Sequence, residues 1–294
     1  MASPVQFHAA TSLDDALERL ERLGPDARVL AGGTDVMIQL HGGQISAREL
    51  VHIEGIPGLA ELTAEESGLS LGAMVTHENI WRHPVAAGYA SLSEAARQVG
   101  GWQTQTLGTV VGNVVNASPA ADLVPGLLVH DAVLHLAKRG SERTVPIGEF
   151  ILGRRQTARE AEELVTRITT GPLPAGTAEA FVKVGRRRAM EVSILAVAAR
   201  LTIDPSSGTI TDARVAVGAA SAVPYRAVDA ERLLVGAHPG DEVFREAGRA
   251  ALDGADPIDD VRASRRYRLT VLPRAVERAL ARAAGRTDET RSAA

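Results

Sequence analysis

The chain has 294 residues, 45% apolar and 23% charged, a length and balance that allow one or two folded domains with a sizeable core and exclude disordered and fibrous classes. Lys and Arg number 32 against 36 Asp and Glu, for a net charge of −4, and the aromatics are four Phe, two Trp and three Tyr, so the positive field and stacking platforms of a nucleic-acid binder are missing. Cysteine is absent, which excludes a disulfide framework, a thiolate nucleophile and any cysteine-ligated iron–sulfur cluster inside this chain.

Four leucines, Leu13, Leu17, Leu20 and Leu23, recur at helical spacing between Ser12, a cap residue, and Gly24-Pro25, so a helix is expected there. A short strand over 27–31 runs into Gly32-Gly33-Thr34-Asp35, and 36–40 opens a second helix that stops at Gly42-Gly43. Strands are expected over 50–53 and 69–73, separated by turn residues 55–58, and another helix starts within 75–81. A helix over 92–99 leads through a polar run at 100–105 into the glycine-containing stretch 106–117. Ser118, Pro119 and Asp122 read as the cap, first position and early acid of a helix carrying the apolar residues 123–129.

The densest Pro and Gly cluster, 170–177, marks a domain boundary. Beyond it the pattern gives a strand over 178–184, a helix over 193–199, strands over 200–203 and 213–219 joined by 204–208, two terminal helices, and a tail that frays after Ala284. No apolar run reaches the roughly 18 residues of a membrane span, and residues 1–8 lack a secretory pattern, so a cytoplasmic location is expected.

Gly32-Gly33-Thr34-Asp35, taken alone, fits a tight turn as well as a ligand loop, since glycine tolerates backbone angles other residues avoid. A glycine pair also lets backbone amides approach a pyrophosphate. The second loop, Gly108-Thr109-Val110-Val111-Gly112-Asn113, places glycines, a hydroxyl and an amide beside another helix start, and together the two suggest a bridged dinucleotide phosphate. Neither GxGxxG nor GxxxxGK[ST] occurs. His77-Glu78 begins like a zinc-protease motif, but position 81 is Trp where the second ligand is needed, so no metal site is expected. The basic run Lys183-Val184-Gly185-Arg186-Arg187-Arg188 reads as a solvated surface turn with one Lys able to face inward.

These strings, with Asn116-Ala117-Ser118-Pro119-Ala120-Ala121-Asp122, Asp259-Asp260-Val261-Arg262-Ala263-Ser264 and Tyr267-Arg268, resemble the FAD-binding medium subunit of the molybdenum hydroxylases, the xanthine dehydrogenase and aerobic carbon monoxide dehydrogenase family. The resemblance implies an α+β chain: a p-cresol methylhydroxylase-type FAD-binding fold over 1–176, with a small lobe to about 55 and a larger lobe after it, a C-terminal α/β domain over 177–284, and a frayed tail over 285–294. It implies noncovalent FAD held by Leu30, Ala31, Gly32, Gly33, Thr34, Asp35, Val36 and Met37 and by Gly108, Thr109, Val110, Val111, Gly112 and Asn113. Ser118, Asp122, Val165 and Lys183 are the further cofactor positions it implies, with no catalytic side chain.

The family usually has a second glycine where this chain has Val111, so the resemblance leaves the amide contact there open. Thr34-Asp35 resembles the purine and aromatic-substrate branch, where carbon monoxide dehydrogenases tend to have His-Ser. The molybdenum cofactor and [2Fe–2S] clusters are implied for a large and a small partner subunit in a dimer of heterotrimers, oxidising a purine, N-heterocycle, aromatic compound or aldehyde. Two other readings stay open: a self-contained FAD-dependent reductase or oxidase on the same fold, and an assembly module without cofactor, motivated by Val111.

Overall fold

The computed structural model describes residues 5–187 and 189–285. The first region is a three-stranded parallel sheet. Strand β1 (Gln6–Ala9) is followed by α1 (Leu13–Leu23), β2 (Ala27–Leu30), α2 (Val36–His41) and β3 (Glu49–His52), and the sheet order is β1-β3-β2. Parallel neighbours cannot be joined by hairpins, so α1 and α2 serve as the crossovers. The Ser12 hydroxyl accepts from the Asp15 N–H at 3.1 Å and caps α1, whose Ala16, Leu17 and Leu20 form the buried stripe.

The second region is mixed. In chain order it has β4 (Leu62–Glu65), β5 (Gly68–Gly72), α3 (His77–Arg82), α4 (Ala90–Arg97), α5 (Trp102–Leu107), α6 (Val110–Val115), α7 (Leu123–Val129), β6 (Val133–Lys138), β7 (Ser141–Pro146), α8 (Ile147–Phe150), β8 (Ile151–Gly153), β9 (Gln156–Thr157) and β10 (Leu164–Thr169). Five of these strands form an antiparallel sheet in the order β4-β5-β10-β6-β7, with a bulge in β10 between Val165 and Arg167. Two sequence expectations fail here. The polar run after Gly101 is the helix α5, and Ser118 does not cap α7: the helix starts at Leu123 with Asp122 at the cap position, while the Ser118 hydroxyl accepts from the Ala120 N–H in a preceding turn.

The third region is an antiparallel sheet in chain order, β11 (Thr177–Val184), β12 (Leu195–Ile203), β13 (Ile210–Gly218) and β14 (Tyr225–Arg226), backed by α9 (Val228–Leu234), α10 (Asp241–Ala250) and α11 (Arg265–Ala283). Three helices thus follow the sheet instead of two. The expected helix over 193–199 is the first part of β12, in register with β11 from Val184↔Leu195 to Thr177↔Thr202. Both faces of this strand are buried, so its sequence shows no alternation, and a continuous Ala-rich run reads as helix when only local propensity is available.

The two faces serve different cores. Phe181, Ala196, Ala198 and Ala216 pack toward α4 and α7 and join the core of the first two regions. Ala180, Val182, Val197, Val215 and Val217 point the other way, against α10 and α11. The period of two along a strand makes this one sheet a shared wall. The expected frayed tail beyond Gly285 lies outside the described residues, as does Arg188 of the basic run. Among the described residues no helix is long and apolar enough to cross a membrane.

Candidate functional site

The first loop leaves β2 at Leu30 and enters α2 at Val36, with Gly33 at φ +69°, a backbone angle that favours glycine. Gly32 touches the second loop. A Cβ built there would lie 1.6 Å from the Leu107 carbonyl oxygen, so any side chain at 32 would drive the two loops apart. Gly108 is equally constrained, its missing Cβ falling 2.7 Å from the Thr104 carbonyl oxygen and 3.2 Å from the His77 ring. Glycine at 32 and 108 is therefore what allows two backbones to meet.

The second loop is pinned from behind. His77 N–H donates to the Gly108 carbonyl at 3.0 Å, and Val110 N–H donates to the Val75 carbonyl at 2.9 Å. Thr109 caps α6 by accepting from the Gly112 N–H at 3.0 Å. Val111 lies inside α6 with its side chain buried and no positive φ, so valine is compatible with that backbone. The Val111 amide has no partner among the described residues, as expected for a first-turn donor with no carbonyl one turn earlier. Across the gap, Gln39 of α2 donates to the Asn116 side chain at 3.0 Å, linking the helices that follow the two loops.

Between the loops lies a cavity of about 280 Å³. Its lining includes Ala31, Gly32, Gly33, Thr34, Asp35 and Val36 from the first loop, Gly108, Thr109, Val111, Gly112 and Asn113 from the second, and Val165 from β10. Leu30 and Val110 sit behind the lining in the core, and Met37 lies on the outer side of α2.

Asp122 and Lys183 are not in the lining. They pair with each other at 2.7 Å, both nearly buried; Lys183 also donates to the Gln98 carbonyl at 2.7 Å, and Ser193 donates to the other oxygen of Asp122. Burial pushes the Asp122 carboxyl above its usual range, opposed by Lys183 and Ser193. Their link to the loops is indirect: the Leu123 N–H, next to Asp122, donates to the Asn113 side chain at 3.4 Å.

Among the lining residues that escaped sequence reasoning are four ionisable ones, His77, Arg28, Arg159 and Glu163. His77, 2% exposed, has its Nδ1 buried without a hydrogen-bond partner, and burial pulls its pKa down to about 4, so it is neutral near pH 7. Only the capping box of Thr76 and Asn79, which starts α3 at His77, was a local signal. Arg28 and Arg159 also line the cavity although 131 positions separate them in the chain. The arrangement can do one thing well: two loops present backbone donors, with cationic side chains nearby, to an elongated anionic ligand.

Two family models match. Residues 3–172 match the FAD binding domain in molybdopterin dehydrogenase, and residues 180–283 match the CO dehydrogenase flavoprotein C-terminal domain. The chain is 30% identical to the xanthine dehydrogenase FAD-binding subunit of Escherichia coli O157:H7, over 95% of this chain and 97% of the relative. It is 29% identical to the 6-hydroxypseudooxynicotine dehydrogenase complex subunit alpha of Paenarthrobacter nicotinovorans, over 97% and 96%. Among solved structures, a carbon monoxide dehydrogenase chain from Hydrogenophaga pseudoflava superposes with a TM-score of 0.90 at 28% identity, covering 97% of this chain and 99% of the other. A chain of quinoline 2-oxidoreductase from Pseudomonas putida 86 gives 0.89 at 27%, covering 96% and 98%.

Proposed function

From the premise that this chain belongs to the family of FAD-binding subunits of molybdopterin dehydrogenases, we propose that the two-loop cavity is where it holds FAD without a covalent bond, for electron transfer within a larger cytoplasmic complex. The chain is an FAD-dependent oxidoreductase subunit. The observation that carries the proposed site is the contact of Gly32 with Leu107, an approach that no side chain at 32 would allow and that sets both glycine loops around one cavity. The residues fit the cofactor: the backbone from Ala31 to Asp35 and from Thr109 to Asn113 would hold the pyrophosphate, with the Val111 amide unspent among the described residues and the neutral His77 ring in the lining. A volume of about 280 Å³ is at the small end for ligand pockets, so the cavity would take the middle of a dinucleotide whose ends extend beyond it.

Bound FAD supplies reversible uptake and release of electrons; the protein's part is placement and exclusion of water. Leu30, Val110 and Met37 would support the two loops, and Val165 would close the cavity from β10. Asp122 and Lys183 act at one remove, by fixing the start of α7, where Leu123 holds Asn113 of the second loop. Residues 1–176 form the flavin-binding part and 177–284 a second domain. A large molybdenum-bearing subunit and a small [2Fe–2S] subunit complete the complex as a dimer of heterotrimers, and the molybdenum subunit selects the purine, N-heterocycle, aromatic compound or aldehyde to be oxidised.

The test is reconstitution. Acid extraction of the purified chain releases FAD, and a chemical reductant bleaches the flavin of the isolated chain while the organic substrate does so only after both partner subunits are added. Rapid bleaching by substrate in the verified absence of other polypeptides overturns the proposal in favour of a self-contained flavoenzyme.

A further inference from the structure

Arg28 and Arg159 present two guanidinium groups to one cavity, and among the described residues neither is paired with a carboxylate. Arg28 spends only Nη1, on the carbonyls of Pro25 and Ala27 at 2.5 and 2.9 Å. Arg159 likewise spends only Nη1, on the carbonyls of Glu160, Ala161 and Glu163 at 2.9, 3.3 and 2.6 Å. Nε and Nη2 of both have no hydrogen-bond partner among the described residues. Two carboxylates share the lining, Asp35 and Glu163, and Glu163 is already held by Arg143 at 2.5 and 2.8 Å and by the Glu160 N–H at 2.7 Å. Burial and then the neighbouring Arg28 charge pull the Arg159 pKa below its usual range, opposed by Glu163 and Glu162. Two like charges kept together in a partly desolvated cleft raise the energy of the empty site, and an anion between them reverses the sign of that term.

We infer that Arg28 and Arg159 form an anion clamp for the diphosphate of the bound dinucleotide, and that this clamp selects a pyrophosphate-bearing flavin over an uncharged one. The inference rests on the proposal that the cavity holds FAD. The glycine loops would contribute neutral backbone donors, and the arginines supply the charge that those loops lack. Charge-assisted hydrogen bonds are roughly twice as strong as neutral ones, so each guanidinium accounts for about a tenfold change in affinity.

The test uses the full chain freed of flavin and titrated calorimetrically with FAD, with ADP as the pyrophosphate half alone, and with riboflavin, which has no phosphate. Arg159→Leu and Arg28→Gln are each expected to weaken FAD and ADP about tenfold, and the double variant about a hundredfold, while riboflavin changes less than twofold. Arg28→Lys should retain most of the affinity. Raising salt should weaken FAD binding to the wild type more than to the double variant. A folded double variant with wild-type FAD and ADP affinity overturns the clamp, and so does an equal loss for riboflavin, which marks a structural role through the carbonyl contacts. If the wild-type chain binds ADP but no flavin, the FAD proposal fails, and the ADP titrations of the variants still decide whether the clamp exists.

Discussion

The cavity and the seam with the third sheet handle buried polarity in opposite ways. Along the seam, the strand period puts Glu179, Phe181 and Lys183 on the face of β11 that meets α4 and α7, and each buried carboxylate finds a partner there: Asp122 with Lys183 at 2.7 Å and Glu179 with the His130 ring at 2.9 Å. Glu94 of α4 spans the same seam, accepting from the Phe181 N–H at 2.8 Å and from Arg282 of α11 at 2.7 Å. At the cavity two arginines, Arg28 and Arg159, have no carboxylate partner among the described residues although Asp35 and Glu163 share the lining, and contact is made by glycine backbone. The contrast separates two tasks. A joint between permanent neighbours pairs its carboxylates internally, even where His130 leaves its own Nδ1 without a partner, whereas a site for a ligand keeps cationic and backbone donors in reserve and bears the cost until the ligand arrives.

The largest expected effect breaks the cavity side. Gly32→Val places atoms inside the Leu107 backbone, which cannot rotate away as a side chain can, so a loss of more than about 4 kcal/mol is expected, above the usual overpacking cost. Urea unfolding and flavin retention measure it; a folded variant with full flavin occupancy refutes the close-approach role of Gly32.

Next comes the seam. Lys183→Met strands a buried carboxylate, and a loss of about 3–5 kcal/mol is expected in the flavin-free chain. The double variant Asp122→Leu, Lys183→Met should recover most of it, because no unpaired charge remains. Unchanged apo stability together with a large loss of FAD affinity in Lys183→Met would instead make the pair a direct cofactor contact.

A third measurement sharpens the cavity's reserve of unsatisfied groups. Because the folded-state pKa of His77 is pulled to about 4, the unfolded chain binds more protons between pH 6.5 and pH 4. The His77 contribution is therefore fully present above pH 6.5 and is lost as pH falls toward 4, by on the order of 3 kcal/mol. Flavin-free His77→Leu should lack that part of the pH dependence; an identical stability profile from pH 7 to 4.5 refutes the buried neutral imidazole.

The smallest effect concerns Val111. Val111→Gly removes a buried side chain from α6 and lowers helix propensity, so about 1–2 kcal/mol of stability is lost. Flavin affinity, measured by fluorescence quenching, should not rise. An increase would mean that the valine obstructs the site.

Much of the cavity was legible because its signals are local. Ser12 and the leucine spacing specify α1, and Gly32-Gly33 and Gly108 mark the loops through backbone freedom that only their own residue type supplies. The short helix α6 inside the stretch read as a loop, capped by Thr109, was not expected. The elements that were misread lack such signals. Ser118 has the residue type of a cap but spends its hydroxyl in a turn, five residues before the helix begins.

What the sequence by itself determined is therefore the set of glycine loops, the capped helices and the resemblance that those motifs carry, since each depends on residues within a few positions of one another. Tertiary structure alone decided that 195–199 is a strand, because burial on both faces erases the alternation that would announce it. It alone brought Arg28 to Arg159 and set Asp122 against Lys183, 61 positions apart, since such contacts are fixed by how sheets and helices pack and leave no periodic trace in the chain. The same packing made His77 a neutral, partnerless ring at the cavity wall: its ionisation is a property of the water excluded around it, which no stretch of sequence encodes locally.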